Sequence, residues 1–100
     1  MRVIWTDRAA ARLSLINETI AEHNPSAAAR VVAQIVDRVR GLARFPSKAR
    51  SGRLRRTREL VIVGTPYVVI YRVRREHIDV LTVLHGAQKW PPGRKRNQDQ

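Results

Sequence analysis

Residues 58–85 read RELVIVGTPYVVIYRVRREHIDVLTVLH. From about Arg58 the apolar residues follow a period of two, the signature of extended chain. Leu60, Val61, Ile62 and Val63 predict a strand that stops at Gly64-Thr65-Pro66. Tyr67 to Val73 is almost wholly β-branched or aromatic, which predicts a central strand buried on both faces. Arg74-Arg75-Glu76-His77 reads as a turn. Ile78 to His85 is a third strand, with Ile78, Val80, Thr82 and Leu84 expected on one face. The short connections predict an antiparallel meander.

Upstream the periodicity changes. Arg2 to Trp5 reads as a short strand. Thr6 and Asp7 are both good helix N-caps, and a helix is predicted from Asp7 to about His23, with Ala10, Leu13, Ile16 and Ile20 as its apolar stripe. Asn24-Pro25 closes it and opens a second helix, from about Pro25 to Ala43, with Ala28, Val32, Ile35, Val39 and Leu42 on its apolar face. The link is short, so the two helices form an antiparallel hairpin. Phe45-Pro46 ends this part, and Pro46 to Gly52 reads as a polar loop. The order β-α-α-β-β-β predicts a two-layer α+β fold, its helical hairpin packed on one face of an antiparallel sheet. The other face is expected to carry Arg58, Arg72 and the end of the last strand, and is where function is expected. Residues 1–91 read as one domain and 92–100 as a basic tail.

The composition narrows the chemistry. The chain has 100 residues, no cysteine and a formal net charge of +12. The absence of cysteine excludes disulfides, thiolate metal sites and cysteine nucleophiles, and fits a reducing, cytoplasmic location. No apolar run approaches the roughly 20 residues of a membrane span. The histidines and carboxylates lack ligand spacing, so no metal or other cofactor is expected. The charge is uneven: residues 1–43 hold six basic and four acidic side chains, residues 44–100 fourteen and four. The densest run is Arg44, Lys48, Arg50, Arg53, Arg55, Arg56 and Arg58, with no acid among them. Such a run points to a polyanionic partner, nucleic acid or an acidic protein.

Three strings, RELVI at 58–62, PYVVIYRV at 66–73 and VLHGAQKWP at 83–91, together with length and element order, resemble the RelE/ParE superfamily of type II toxin–antitoxin toxins over about residues 2–91. The resemblance implies a cognate antitoxin whose acidic C-terminal segment wraps the toxin in a hetero-oligomer. It also implies one of two targets. RelE-like members enter the ribosome and cut mRNA by in-line attack of the 2′-hydroxyl, with basic side chains in place of a metal. ParE-like members inhibit DNA gyrase.

The ribosome-dependent mRNA interferase is the leading expectation and the gyrase inhibitor the alternative. RNA cleavage needs a base for the 2′-hydroxyl, a cation for the pentacoordinate phosphate and an acid for the leaving oxygen. His85, Arg58 and Arg72 are the candidates for those roles. Arg50, Arg53, Arg55, Arg56, Arg74, Tyr67 and Lys89 are candidates for gripping nucleic acid or antitoxin. Glu59, inside the arginine field, reads as an ion-pair partner and Tyr71 as core, while His23 and His77 read as solvated. Trp90 reads as a packing anchor. RelE-like toxins usually carry an arginine in the middle strand where this chain has Val68, and that difference favours gyrase.

Overall fold

The computed structural model describes residues 1–86. Its elements are β1 (Arg2–Trp5), α1 (Asp7–Ala21), α2 (Pro25–Gly41), β2 (Arg50–Ser51), β3 (Arg58–Val61), β4 (Tyr67–Val73) and β5 (His77–His85). Lys89, Trp90 and the proposed tail at 92–100 lie outside the described residues.

The helices begin where the caps dictate. The Thr6 hydroxyl accepts from the Ala9 amide at 3.1 Å and donates to the Val80 carbonyl at 2.8 Å, so one side chain starts α1 and fastens it to β5. Asp7 lies in the first turn, where its charge meets the positive end of the helix. Asn24 caps α2 by accepting from Ala27 at 3.0 Å, with Pro25 in the first turn. The apolar stripe of α1 runs through Ala9, with Ala10 exposed, then Leu13, Ile16 and Ile20. The face of α2 is buried at Ala28, Ile35 and Val39 and half-buried at Val32, and Leu42 is buried just past the helix end as its C-cap.

Two helices pack on a five-stranded sheet of order β1-β5-β4-β3-β2. Strands β2 to β5 are antiparallel neighbours, but β1 lies parallel to β5, with Arg2 opposite His77 and Trp5 opposite Val80. The sheet is therefore mixed where an antiparallel one was expected. β4 pairs with one edge of β5 and β1 with the other, and the helices that follow β1 carry the chain across the sheet to β2 at the opposite edge. A second departure is β2, a two-residue strand inside the expected loop, paired with Glu59 and Arg58.

The main core lies between sheet and helices. β4 contributes Tyr67, Val69, Tyr71 and Val73, and β5 contributes Ile78, Val80 and Val83. Val68, Ile70 and Leu84 form a second cluster, with Leu81 against it. By strand alternation these residues occupy the opposite face. The sequence places Thr82 with Ile78 and Val80, but the register shifts between Ile70 and Tyr71. Ile70 pairs with Thr82 and Tyr71 with Val80, so Leu81 is the extra residue of a β-bulge and the side-chain alternation inverts there. Val83 therefore replaces Thr82 and Leu84 on the helix side.

Candidate functional site

The basic run folds into two loops flanking β2, at 42–49 and 52–57. The second is pinched shut. The Gly52 amide donates to the Thr57 carbonyl at 2.7 Å, and the Thr57 hydroxyl donates to the Leu54 carbonyl at 2.6 Å. A Cβ at Gly52 would collide with Thr57, so glycine is required there. Arg56 has a φ of 63°, the left-handed conformation that costs a non-glycine residue roughly 1 kcal/mol. The loop presents Arg55 and Arg56 to solvent. Beside them lies a cleft of about 350 Å³ lined by Ser51, Arg55, Arg56, Arg58 and Val73.

Glu59 organises this loop. Its side chain is 2% exposed and accepts from Arg50 Nη2 at 3.0 Å and from Arg53 through the backbone amide, Nε and Nη2 at 2.9, 2.9 and 3.2 Å. Burial alone pushes the carboxyl upward, but the hydrogen bonds from Arg53 and Arg50 outweigh it and hold the group below the ordinary carboxylate value. Glu59 is thus an ion-pair partner, as read from sequence. Its partners are Arg50 and Arg53, since Arg58 and Glu59 are consecutive strand residues pointing to opposite faces.

Arg58 and Arg72 do not share a face, contrary to expectation. Arg58 lies opposite Tyr71 and so points to the helix side, where its Nη1 donates to the carbonyls of Ser47 and Ala49 at 3.3 and 2.8 Å. Arg72 follows Tyr71 in β4 and points the other way. Its Nη2 reaches the Arg55 carbonyl at 3.4 Å, while its Nε is buried without a hydrogen-bond partner. His85 is exposed at the far end of β5, opposite Tyr67, whose ring it meets edge-on at 5.7 Å between centroids. Arg58 and His85 sit on the two strands flanking β4 and four residues apart along it, so their Cα atoms are on the order of 16 Å apart.

The remaining candidates scatter further. Arg74 Nε donates to Asp79 at 3.1 Å, and His77 Nε2 lies 3.1 Å from the other oxygen of the same carboxylate. His77 is therefore partnered and half-buried, where sequence suggested a solvated residue. Tyr71 is fully buried and donates to the Pro46 carbonyl at 2.7 Å. Burial raises its phenol above the usual value, partly offset by the backbone of Ala49 and by the Arg58 charge. Sequence reasoning passed over Phe45, which is exposed at the tip of the first loop beside Arg44. An aromatic between two cations was the available signal, masked by the helix end next to it. Among the described residues, no group of His, Asp and Glu could hold a metal ion, and no helix is long and apolar enough to cross a membrane.

Residues 3–90 match the family model described as the ParE toxin of the type II toxin–antitoxin system parDE. The chain is 47% identical over 90 residues to the putative toxin Y4kP of Sinorhizobium fredii, covering 90% of this chain and 93% of that one. It is 33% identical over 87 residues to toxin RelE2 of Caulobacter vibrioides, covering 87% and 97%. Its fold is similar to a chain of the chromosomal ParDE toxin–antitoxin system from P. aeruginosa, with a TM-score of 0.77, 26% identity, and coverage of 85% and 95%. Element order, sequence and fold agree: the chain belongs to the ParE toxin family of type II toxin–antitoxin systems, within the RelE/ParE superfamily.

Proposed function

We propose that this toxin arrests growth by binding, as a ParE-like inhibitor of DNA gyrase, and not by cutting RNA. The observation that supports this reading is the separation of Arg58, Arg72 and His85. In-line cleavage needs its base, cation and acid around one phosphate, each within hydrogen-bond reach. Among the described residues, these three lie on two faces and at two ends of the sheet. Arg58 is also committed to loop carbonyls. The valine at position 68 points the same way. Purified toxin mixed with gyrase and supercoiled plasmid is expected to accumulate protein-linked, cleaved DNA. Undisturbed gyrase, together with cleavage of translated mRNA, would overturn the reading.

One observation favours the interferase instead. His85 and Tyr67 pack edge-on at the sheet's end, and both are residue types that serve in general acid–base catalysis. Under that reading, His85→Ala abolishes mRNA cleavage. Under ours it leaves gyrase inhibition intact.

Family membership implies an antitoxin partner. Its acidic segment, in our reading, contacts Arg55 and Arg56, the exposed arginines of the pinched loop. Arg50 and Arg53 already face Glu59.

A further inference from the structure

The loop at 42–49 is tied down along its length. The Met1 amino group donates to the Ala43 carbonyl at 2.9 Å, and the Lys48 amide donates to the Phe45 carbonyl at 3.2 Å. Buried Tyr71 holds the Pro46 carbonyl, and Arg58 holds those of Ser47 and Ala49. Yet the large apolar side chain of this loop faces water: Phe45 is 58% exposed. The Arg44 guanidinium sits 5.7 Å from its ring centroid. Around the ring lies a shallow depression of about 610 Å³, lined by Arg44, Pro46, Ser47 and Lys48. A single exposed apolar residue is ordinary. An exposed ring on a loop held by core side chains, rimmed by two cations and no acid, is a preorganised anchor: an aromatic centre, a polar rim, and little ordering entropy left to lose on binding.

We infer that Phe45, flanked by Arg44 and Lys48, is the surface that engages the toxin's target protein, inserting its ring into an apolar pocket with carboxylates at the rim. This rests on the reading that the toxin works by binding gyrase. A protein pocket suits the patch better than a phosphate backbone, because ring, proline and the stems of Arg44 and Lys48 make its centre apolar. Unlike Arg55 and Arg56 on the 52–57 loop, the cations here surround an exposed aromatic ring. The inference also gives Arg58 a positioning role: it shapes the loop that carries Phe45 and does not touch the target.

The test is binding of full-length toxin to purified gyrase, with trapping of cleaved plasmid measured in parallel. Phe45→Ala is expected to weaken gyrase binding at least about tenfold, the equivalent of about 1.4 kcal/mol. Phe45→Tyr should retain most of it, and Arg44→Glu with Lys48→Glu should weaken it and flatten its salt dependence. Because Phe45 is exposed, the melting temperature of Phe45→Ala should stay within about 3 °C of wild type. If Phe45→Ala binds gyrase like wild type, the inference falls and the gyrase reading stands. If wild type itself does not bind gyrase, both fall. If Phe45→Ala loses affinity for single-stranded oligothymidylate while gyrase binding is unchanged, the ring is a base platform and the inference is overturned.

Discussion

Arg53 holds the Glu59 carboxylate through three hydrogen bonds, from its backbone amide, its Nε and its Nη2. A fork and an amide from one residue on one buried carboxylate fix both the side chain and the loop that bears it. Glu59→Gln keeps the shape and removes the charge. Arg50 and Arg53 are half-exposed, so their loss of a partner is partly relieved by water, and the expected cost is about 1–2 kcal/mol. The folded pKa of Glu59 lies below its ordinary value of 4.5. Its stabilisation is therefore fully present above that value and is lost as pH falls through the folded pKa. Urea unfolding from pH 7 to pH 3 should show a gap between wild type and Glu59→Gln that is constant near neutrality and closes in acid. A gap that widens in acid would contradict the assignment.

Tyr71 has the opposite pH signature. Its folded pKa is raised above 10.0 because burial disfavours the phenolate. The unfolded phenol ionises first, so wild type loses stability as pH rises above 10.0 toward the folded value. Tyr71→Phe should lack that loss. At neutral pH it should unfold about 1–2 kcal/mol more easily, since the Pro46 carbonyl loses its donor. Chemical denaturation at pH 7 and above pH 10 reads both effects.

Arg55 and Arg56 are exposed, and no ion pair to either is found among the described residues. Charge reversal at both should weaken antitoxin binding at least about tenfold at low ionic strength, and the difference from wild type should narrow as salt rises. Titration calorimetry at two salt concentrations checks this. Equal affinities for variant and wild type at low salt would remove these residues from the antitoxin interface.

Thr82 is 1% exposed, and its hydroxyl has no hydrogen-bond partner. The bulge at Leu81 turns it onto the face of Ile70 and Leu84. Thr82→Val replaces the orphan hydroxyl with a methyl of similar size, and a gain of about 1 kcal/mol is expected. Thermal unfolding measures it, and a loss of stability would show that the hydroxyl is satisfied in solution.

The order of elements was legible in the sequence because caps, periodicity and turn residues are local. Thr6, Asn24-Pro25 and Gly64-Thr65-Pro66 each mark a boundary that the backbone respects. What was not legible depends on partners distant in sequence. Nothing in Arg2–Trp5 says that its neighbour is His77–Val80, because parallel pairing is set by the free edge of β5. One extra residue at Leu81 moves Leu84 and Thr82 to the other face, and alternation alone cannot reveal it. The same limit governs the site. The basic run and the Glu59 ion pair could be read from composition. The separation of Arg58 from Arg72 followed only once Arg58 was registered against Tyr71.

Arg58, Arg72 and His85 are spread over two faces of the sheet, so the toxin proposed here to bind gyrase should leave RNA uncut. Mapping mRNA 5′ ends in a purified translation reaction to which the toxin is added decides the point. Intact message, at toxin concentrations that trap gyrase on plasmid, is the expected result. Codon-phased cleavage that disappears with His85→Ala would contradict it.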